Sequence, residues 1–239
     1  MIACNRGRQN LHAWDDTTRF EAPDRLVDGR PFLVPAPSDD APGASVALCL
    51  TPKAASTTIK RHVLQSLAER GVPLQADWKR CPHGQPAFRG LNATPVTSLM
   101  VVRHPLARLA SAYDEVVRRG FWHRLPQVVP NATFAQVVYA LSRAPPRQIN
   151  AHFRPLWLTC GLVGGRRYAQ TLKYEQWDAL AEVLRRDVAP GLPRLAFSRD
   201  PRASDTRSRA LYATPELVSL SNQWARTDLR LFGYAPLRL

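Results

Sequence analysis

The chain is short of lysine, glycine and long apolar runs, and each shortage excludes something. Of its 239 residues only four are lysines: Lys53, Lys60, Lys79 and Lys173. No stretch approaches the roughly 18 consecutive apolar residues of a membrane-crossing helix, so no transmembrane span is encoded. The opening MIACNRGRQNLHAWDD lacks the apolar core of a signal peptide. Four cysteines (Cys4, Cys49, Cys81, Cys160) are widely spaced and make no C-x-x-C. That pattern argues against a structural zinc and leaves one or two disulfides open. No metal-ligand cluster is present, and no metal is expected. No segment repeats. There is no G-x-x-x-x-G-K-[ST] run, which excludes a Walker-type phosphate loop.

What is abundant is arginine. Lys+Arg total 33 against 19 Asp+Glu, for a net charge of +14 and a pI near 10.6. Such a surplus points to an anionic partner: nucleic acid, an acidic glycan, a membrane surface or a phosphorylated small molecule. Much of it is compositional, since Arg rises here together with Ala and Pro. Hydrophobic residues at 45% and charged residues at 22% are ordinary for a globular protein, which excludes a disordered chain or a fibre.

Residues 1–44, rich in Pro, Asp and Arg, read as an irregular lead-in, and residues 45–239 as a single domain. Ser45–Leu50 (SVALCL), Val96–Val102 (VTSLMVV) and Arg167–Leu172 have the apolar, β-branched look of buried strands. After the first, Ile59, Val63, Leu64 and Leu67 recur at helical spacing, with Gly71 as a stop. Leu106, Leu109, Ala110 and Tyr113 continue the second as a helix. Further helices are expected over Thr133–Leu141, Asn150–Leu158 and Glu175 to about Asp187. A last one is capped by Thr214, with Pro215 at its first position, Glu216 in its first turn, and Leu217, Leu220, Trp224 and Leu231 inward. Strands alternating with helices imply an α/β fold around a central parallel sheet flanked by helices.

Two motifs carry chemistry. In Thr51–Lys60 (TPKAASTTIK), small residues at a strand end allow a tight turn into a helix. Unsatisfied N–H groups at that helix start, the charge of Lys53 and the hydroxyls of Ser56, Thr57 and Thr58 suit a phosphate- or sulfate-sized anion. Ala55 lets the backbone approach it. The alternative is a Ser/Thr-capped helix with a solvated lysine. In Val101–Tyr113 (VVRHPLARLASAY), Arg103 lies at the next strand end, where open α/β sheets place ligands. Ser111, two helical turns on, could share an anion with it, and a guanidinium binds two phosphate oxygens at once. The alternative is a structural ion pair and a small packing residue.

The pair of motifs resembles the sulfotransferases that use 3′-phosphoadenosine 5′-phosphosulfate (PAPS). PKAAST matches their P-K-x-x-[ST]-[ST], and VRHPLARLASAY their [VL]-R-x-P-x-x-R-L-x-S-A-Y. Asn150–Cys160 (NAHFRPLWLTC), Leu162–Leu180 and Arg226–Tyr234 (RTDLRLFGY) are similar to later segments of the Golgi carbohydrate sulfotransferases of the chondroitin and dermatan type, sulfotransferase family 2. The chain departs from that pattern in LTCGLVG, where the family has L-C-x-P-C, and in its short region between the two phosphate motifs.

The resemblance implies a three-layer, P-loop-like fold and in-line transfer of a sulfuryl group from PAPS to a carbohydrate hydroxyl, without a metal. Lys53, Ala55, Ser56, Thr57 and Thr58 would hold the 5′-phosphosulfate, and Arg103 and Ser111 the 3′-phosphate. Lys53 would offset charge on the departing oxygen. His83 is the first choice for the base and His152 the second, with His104 a local structural residue. Lys173, Tyr174 and Glu175 would line the nucleotide pocket or stabilise the fold. Arg199, Arg202 and Arg207 would cover the nucleotide, contact an acidic glycan or lie in a solvated loop. The expected partner is a glycan or other hydroxyl-bearing acceptor, acidic ones included, rather than nucleic acid. A nucleotide kinase or NTPase and a non-enzymatic polyanion-binding module are the competing readings. The family suggests the Golgi, the chain as given the cytoplasm. Asn131-Ala132-Thr133 is a glycosylation sequon, relevant only in the secretory pathway.

Overall fold

The computed structural model describes residues 32–35, 45–71, 95–117, 131–190 and 208–238. His83, Cys4, Cys81, Arg199, Arg202 and Arg207 lie outside the described residues.

Among the described residues, four strands make one sheet in the order β1 (Phe32–Pro35), β2 (Ser45–Leu50), β3 (Thr97–Val102), β4 (Gln170–Lys173). β2, β3 and β4 are parallel, with Leu48 beside Leu99 and Val102 beside Lys173. β1 is antiparallel to β2, Val34 beside Val46. The lead-in is therefore not wholly irregular, because its PFLVP run supplies an edge strand. Four residues ending in a proline are too few to show a period, and an edge strand tolerates Pro35 because one side of it needs no donor.

Among the described residues the α-helices are α1 (Ser56–Glu69), α2 (Pro105–Val116), α3 (Phe134–Arg143), α4 (Trp177–Asp187) and α5 (Pro215–Leu231). Alternation along the strands sorts their side chains onto two faces. Leu48, Leu99 and Val101 meet Ile59, Val63 and Leu67 of α1 and Leu180 and Leu184 of α4. Cys49, Met100 and Val102 meet Leu156, Cys160 and Phe232 on the other side. Cys49 and Cys160 form a disulfide across a sequence separation of 111. Helices α2, α3 and α5 build an adjoining apolar cluster around Leu109, Phe134, Val137 and Phe153. The result is a mixed α/β architecture with a small, mainly parallel sheet between layers, as the sequence leads one to expect.

Several helix expectations hold. Gly71 follows α1 with φ +74°, a left-handed stop that glycine adopts without a Cβ clash. Thr133 and Gln136 close a capping box on α3, and Thr214 accepts from the Leu217 N–H at the start of α5. Others need correction. Asn150–Leu158 is not a helix but a run of turns ending in a 3₁₀ turn at Leu156–Leu158. Pro155 cannot donate there, and the N–H groups of Leu156 and Trp157 go instead to the Asp228 carboxylate, at 2.7 and 2.8 Å. The inner face of α5 is Val218, Ser221, Ala225, Asp228 and Leu229, with Leu217, Leu220 and Trp224 half-buried beside it. Leu231 is 53% exposed. The apolar pattern misplaced the face because Asp228, a buried carboxylate, sits where a leucine would be looked for.

Candidate active site

The first motif begins where β2 ends. Thr51 donates its N–H and its hydroxyl to the Val101 carbonyl, at 3.3 and 2.8 Å, which pins the loop to β3. The chain then turns through two left-handed residues that are not glycine, Lys53 at φ 67° and Ala55 at φ 56°. Each costs on the order of 1–2 kcal/mol in a residue with a Cβ. Ala55 is the N-cap of α1 and makes no side-chain cap. The capped-helix alternative therefore fails: Ser56, Thr57 and Thr58 lie inside the first turn, not before it. The Ile59 N–H takes the Ala55 carbonyl at 2.9 Å, and the three N–H groups preceding it have no acceptor within the helix ladder. No acidic residue occupies that turn. A helix start of this kind favours an anion.

The second motif meets the first directly. Arg103, 4% exposed, donates Nη1–H to the Lys53 carbonyl at 3.2 Å. Its guanidinium lies over the Tyr174 ring, 4.7 Å from the centroid. Pro105 opens α2, and His104 caps it, its Nδ1 accepting the Leu106 N–H at 3.3 Å. His104 is thus a structural residue, as expected from its place in the motif. Lys53 forms an ion pair with Glu115 of α2. Glu115 lies one turn beyond Ser111, so both occupy one stripe of the helix. The pair therefore draws the loop over the face carrying Ser111, and Lys53, Arg103 and the first turn of α1 gather at the carboxyl end of the sheet.

His152 sits in the turns before Leu156. Its backbone N–H and its Nδ1 both approach Asn150 Oδ1, at 2.9 Å each. An amide oxygen accepts, so Nδ1 is the donor in this contact. The backbone of this segment hangs on a group the sequence reading missed. Arg108, fully buried, donates to the carbonyls of His152 at 2.9 Å, Phe153 at 3.4 Å and Arg154. Burial lowers its guanidinium to about 10, opposed by the field of Asp228. Burial likewise pushes the Asp228 carboxyl up, opposed by Arg108 and the N–H groups of Leu156 and Trp157. The signal was present: an arginine between Leu106 and Leu109 on an apolar helix face is either misplaced or paired.

Three residues at the end of β4 settle into distinct places. Tyr174 floors Arg103. Lys173 donates to the Gly233 carbonyl at 3.0 Å and stacks on Tyr234. Glu175 accepts from the His104 N–H. Beside them a pocket of about 140 Å³ opens between the start of α2, Glu175, Arg209 and Leu237. No described helix is long and apolar enough to cross a membrane.

No curated protein and no solved structure matches the chain significantly. A family-model match does exist, to the sulfotransferase family, and it runs over residues 39–235. It takes in both candidate anion-binding motifs, Arg108, Asp228 and Tyr234. With so much of the sequence matched, the chain belongs to the sulfotransferase family and is a transferase of sulfuryl groups.

Proposed function

We propose that this sulfotransferase takes its sulfuryl group from PAPS and passes it to a carbohydrate hydroxyl. The observation carrying the reading is the hydrogen bond from Arg103 to the Lys53 carbonyl. It couples two separate anion-binding elements at a spacing set by the protein, which suits one ligand with two anionic ends. The uncapped start of α1, with no acidic residue in its own first turn, fits the 5′ end. The buried guanidinium above Tyr174 fits the 3′ end. PAPS, when bound, supplies the activated sulfuryl group.

Lys53 would leave Glu115 and offset charge developing on the bridging oxygen, helped by the Ser56, Thr57 and Thr58 N–H groups and hydroxyls. Arg103 and Ser111 would fix the 3′-phosphate. His83 or His152 would take the acceptor proton; the Nδ1 contact to Asn150 would orient the His152 ring for that role. The surplus positive charge suits a glycan that is itself acidic, of the chondroitin or dermatan type, and such an acceptor would place the enzyme in the Golgi lumen.

The test combines binding and turnover. Adenosine 3′,5′-bisphosphate should raise the melting temperature at low concentration, and Arg103→Ala should abolish the effect. Radiolabelled sulfate should then pass from PAPS to members of a panel of desulfated glycans. Stabilisation by ATP alone would favour a nucleotide kinase, and by heparin alone a polyanion-binding module; either would overturn the reading. Sulfate transfer to small alcohols only would overturn the carbohydrate acceptor. Near-normal turnover in His83→Ala or in His152→Ala removes that histidine from the mechanism.

A further inference from the structure

The backbone at Arg103 is gripped from outside its own strand. Glu175, just past β4, accepts the His104 N–H on Oε1 at 2.7 Å. Its other oxygen, Oε2, accepts the Tyr234 hydroxyl at 2.8 Å. Tyr234 is itself held: Lys173 Nζ lies 4.4 Å from its ring centroid and bonds the Gly233 carbonyl at 3.0 Å. The His104 ring packs edge-on against it with centroids 5.1 Å apart, and His104 Nε2 lies 3.0 Å from the Ala235 carbonyl. The chain beyond α5 is thereby fastened across the carboxyl ends of β3 and β4, on the residue that follows Arg103.

Resting on the PAPS reading above, we propose that Glu175 and Tyr234 are positioning residues for the 3′-phosphate end of the donor. A bidentate guanidinium contact tolerates little error in angle or distance. Arg103 Cα is one peptide unit from the N–H that Glu175 holds. Releasing that N–H lets the strand end swing, and with it the guanidinium, while the α1 start and Lys53 stay in place. The carboxyl-terminal FGY segment thus sets the geometry of donor recognition from a distance, without touching the ligand.

The prediction is selective. Glu175→Ala and Tyr234→Phe should weaken binding of adenosine 3′,5′-bisphosphate about tenfold and threefold, respectively, with little change for adenosine 5′-monophosphate. Glu175→Gln, which keeps a carbonyl for the His104 N–H, should recover most of the bisphosphate affinity. Isothermal titration of all variants with both nucleotides reads the split. A purely structural role would lower both affinities alike, and that result overturns the proposal, as does unchanged bisphosphate binding in Glu175→Ala. The Tyr234→Phe variant keeps the ring contacts, so the comparison survives if Glu175→Ala folds poorly. The two readings fail differently. If the unaltered protein does not prefer the bisphosphate, the donor reading fails and this one with it. If it does, and Arg103→Ala abolishes the preference while Glu175→Ala keeps it, only the positioning role fails.

Discussion

The two ends of the candidate donor site are built in opposite ways. The 5′ side, residues 51–58, is a strained loop with two left-handed residues, an uncapped helix start and a lysine resting on a half-exposed glutamate. The 3′ side is a buried arginine on an aromatic floor, with its neighbouring backbone fixed by Glu175 and the chain end. On the proposed reading, the first would rearrange around charge that moves during the reaction, and the second would grip charge that does not move. Such a division would suit sulfuryl transfer, because only the 5′ end changes between the proposed donor and its product.

The largest loss should come from a buried group that belongs to neither end. Arg108 carries the backbone of residues 152–154, and both it and Asp228 are buried. Arg108→Leu strips those carbonyls of a charged donor and removes a cation whose field acts on Asp228, a loss on the order of 3 kcal/mol. Urea denaturation should show it, or the variant should fail to accumulate folded. Replacing Asp228 by Asn should be milder, since an amide oxygen still accepts from Leu156 or Trp157 and no buried anion is stranded. A mild Arg108→Leu would mean that its three carbonyl contacts contribute little to stability.

On the loose side the effect should fall on rate, not on stability. Lys53→Ala removes one exposed-partner ion pair, worth about 0–1 kcal/mol. Turnover should fall roughly 100- to 1000-fold, the usual effect of losing one donor to a developing charge. Steady-state kinetics beside a thermal melt would separate the two. A large drop in melting temperature would show that the Lys53–Glu115 pair is structural.

One covalent bond joins the strand leading into the 5′ loop to the segment held by Arg108 and Asp228. Cys49 lies two residues before Thr51, and its partner Cys160 ends the segment that Arg108 and Asp228 hold. Closing so long a loop stabilises by about 2–4 kcal/mol, mostly by restricting the unfolded chain. The Cys49→Ala/Cys160→Ala double variant should lose about that much in urea while keeping its nucleotide affinity. Affinity lost in proportion to stability would make the disulfide part of the donor site.

How much of this could be read from the sequence depends on where the information lay. The β2–loop–α1 and β3–α2 units were legible because strand runs, small residues, Pro105 and helical spacing are local signals. The cap at Thr214 was legible for the same reason. Asn150–Leu158 was not: its turns exist because Asp228, some 70 positions away, competes for the backbone donors. The inner face of α5 shifted through the same residue. The edge strand β1 was too short to announce itself. The Cys49–Cys160 pairing and the Glu175–Tyr234 clasp are products of topology, and nothing in the spacing of those residues foretells them. His83, first choice for the base, lies outside the described residues, so its assignment still stands on sequence alone.

The smallest effect tests whether the strain on the loose side has a use. Ala55→Gly relieves a left-handed residue of about 1–2 kcal/mol. Against that stand the greater freedom of glycine in the unfolded chain, about 0.4–1 kcal/mol, and some lost packing of the methyl on the α1–α4 core. The terms nearly cancel, so stability should move by about 0.5 kcal/mol or less in either direction. Affinity should not cancel in the same way. Glycine widens the range of loop conformations, and the N–H groups of Ser56, Thr57 and Thr58 then spend less time converged on one anion. Bisphosphate binding should weaken about two- to threefold, with the loss equal for adenosine 5′-monophosphate because both share the 5′ end. That equality is the mirror image of the selective loss expected at Glu175. If Ala55→Gly instead discriminated between the two nucleotides, the two ends of the site would not be independent, and the division of labour between them would have to be abandoned.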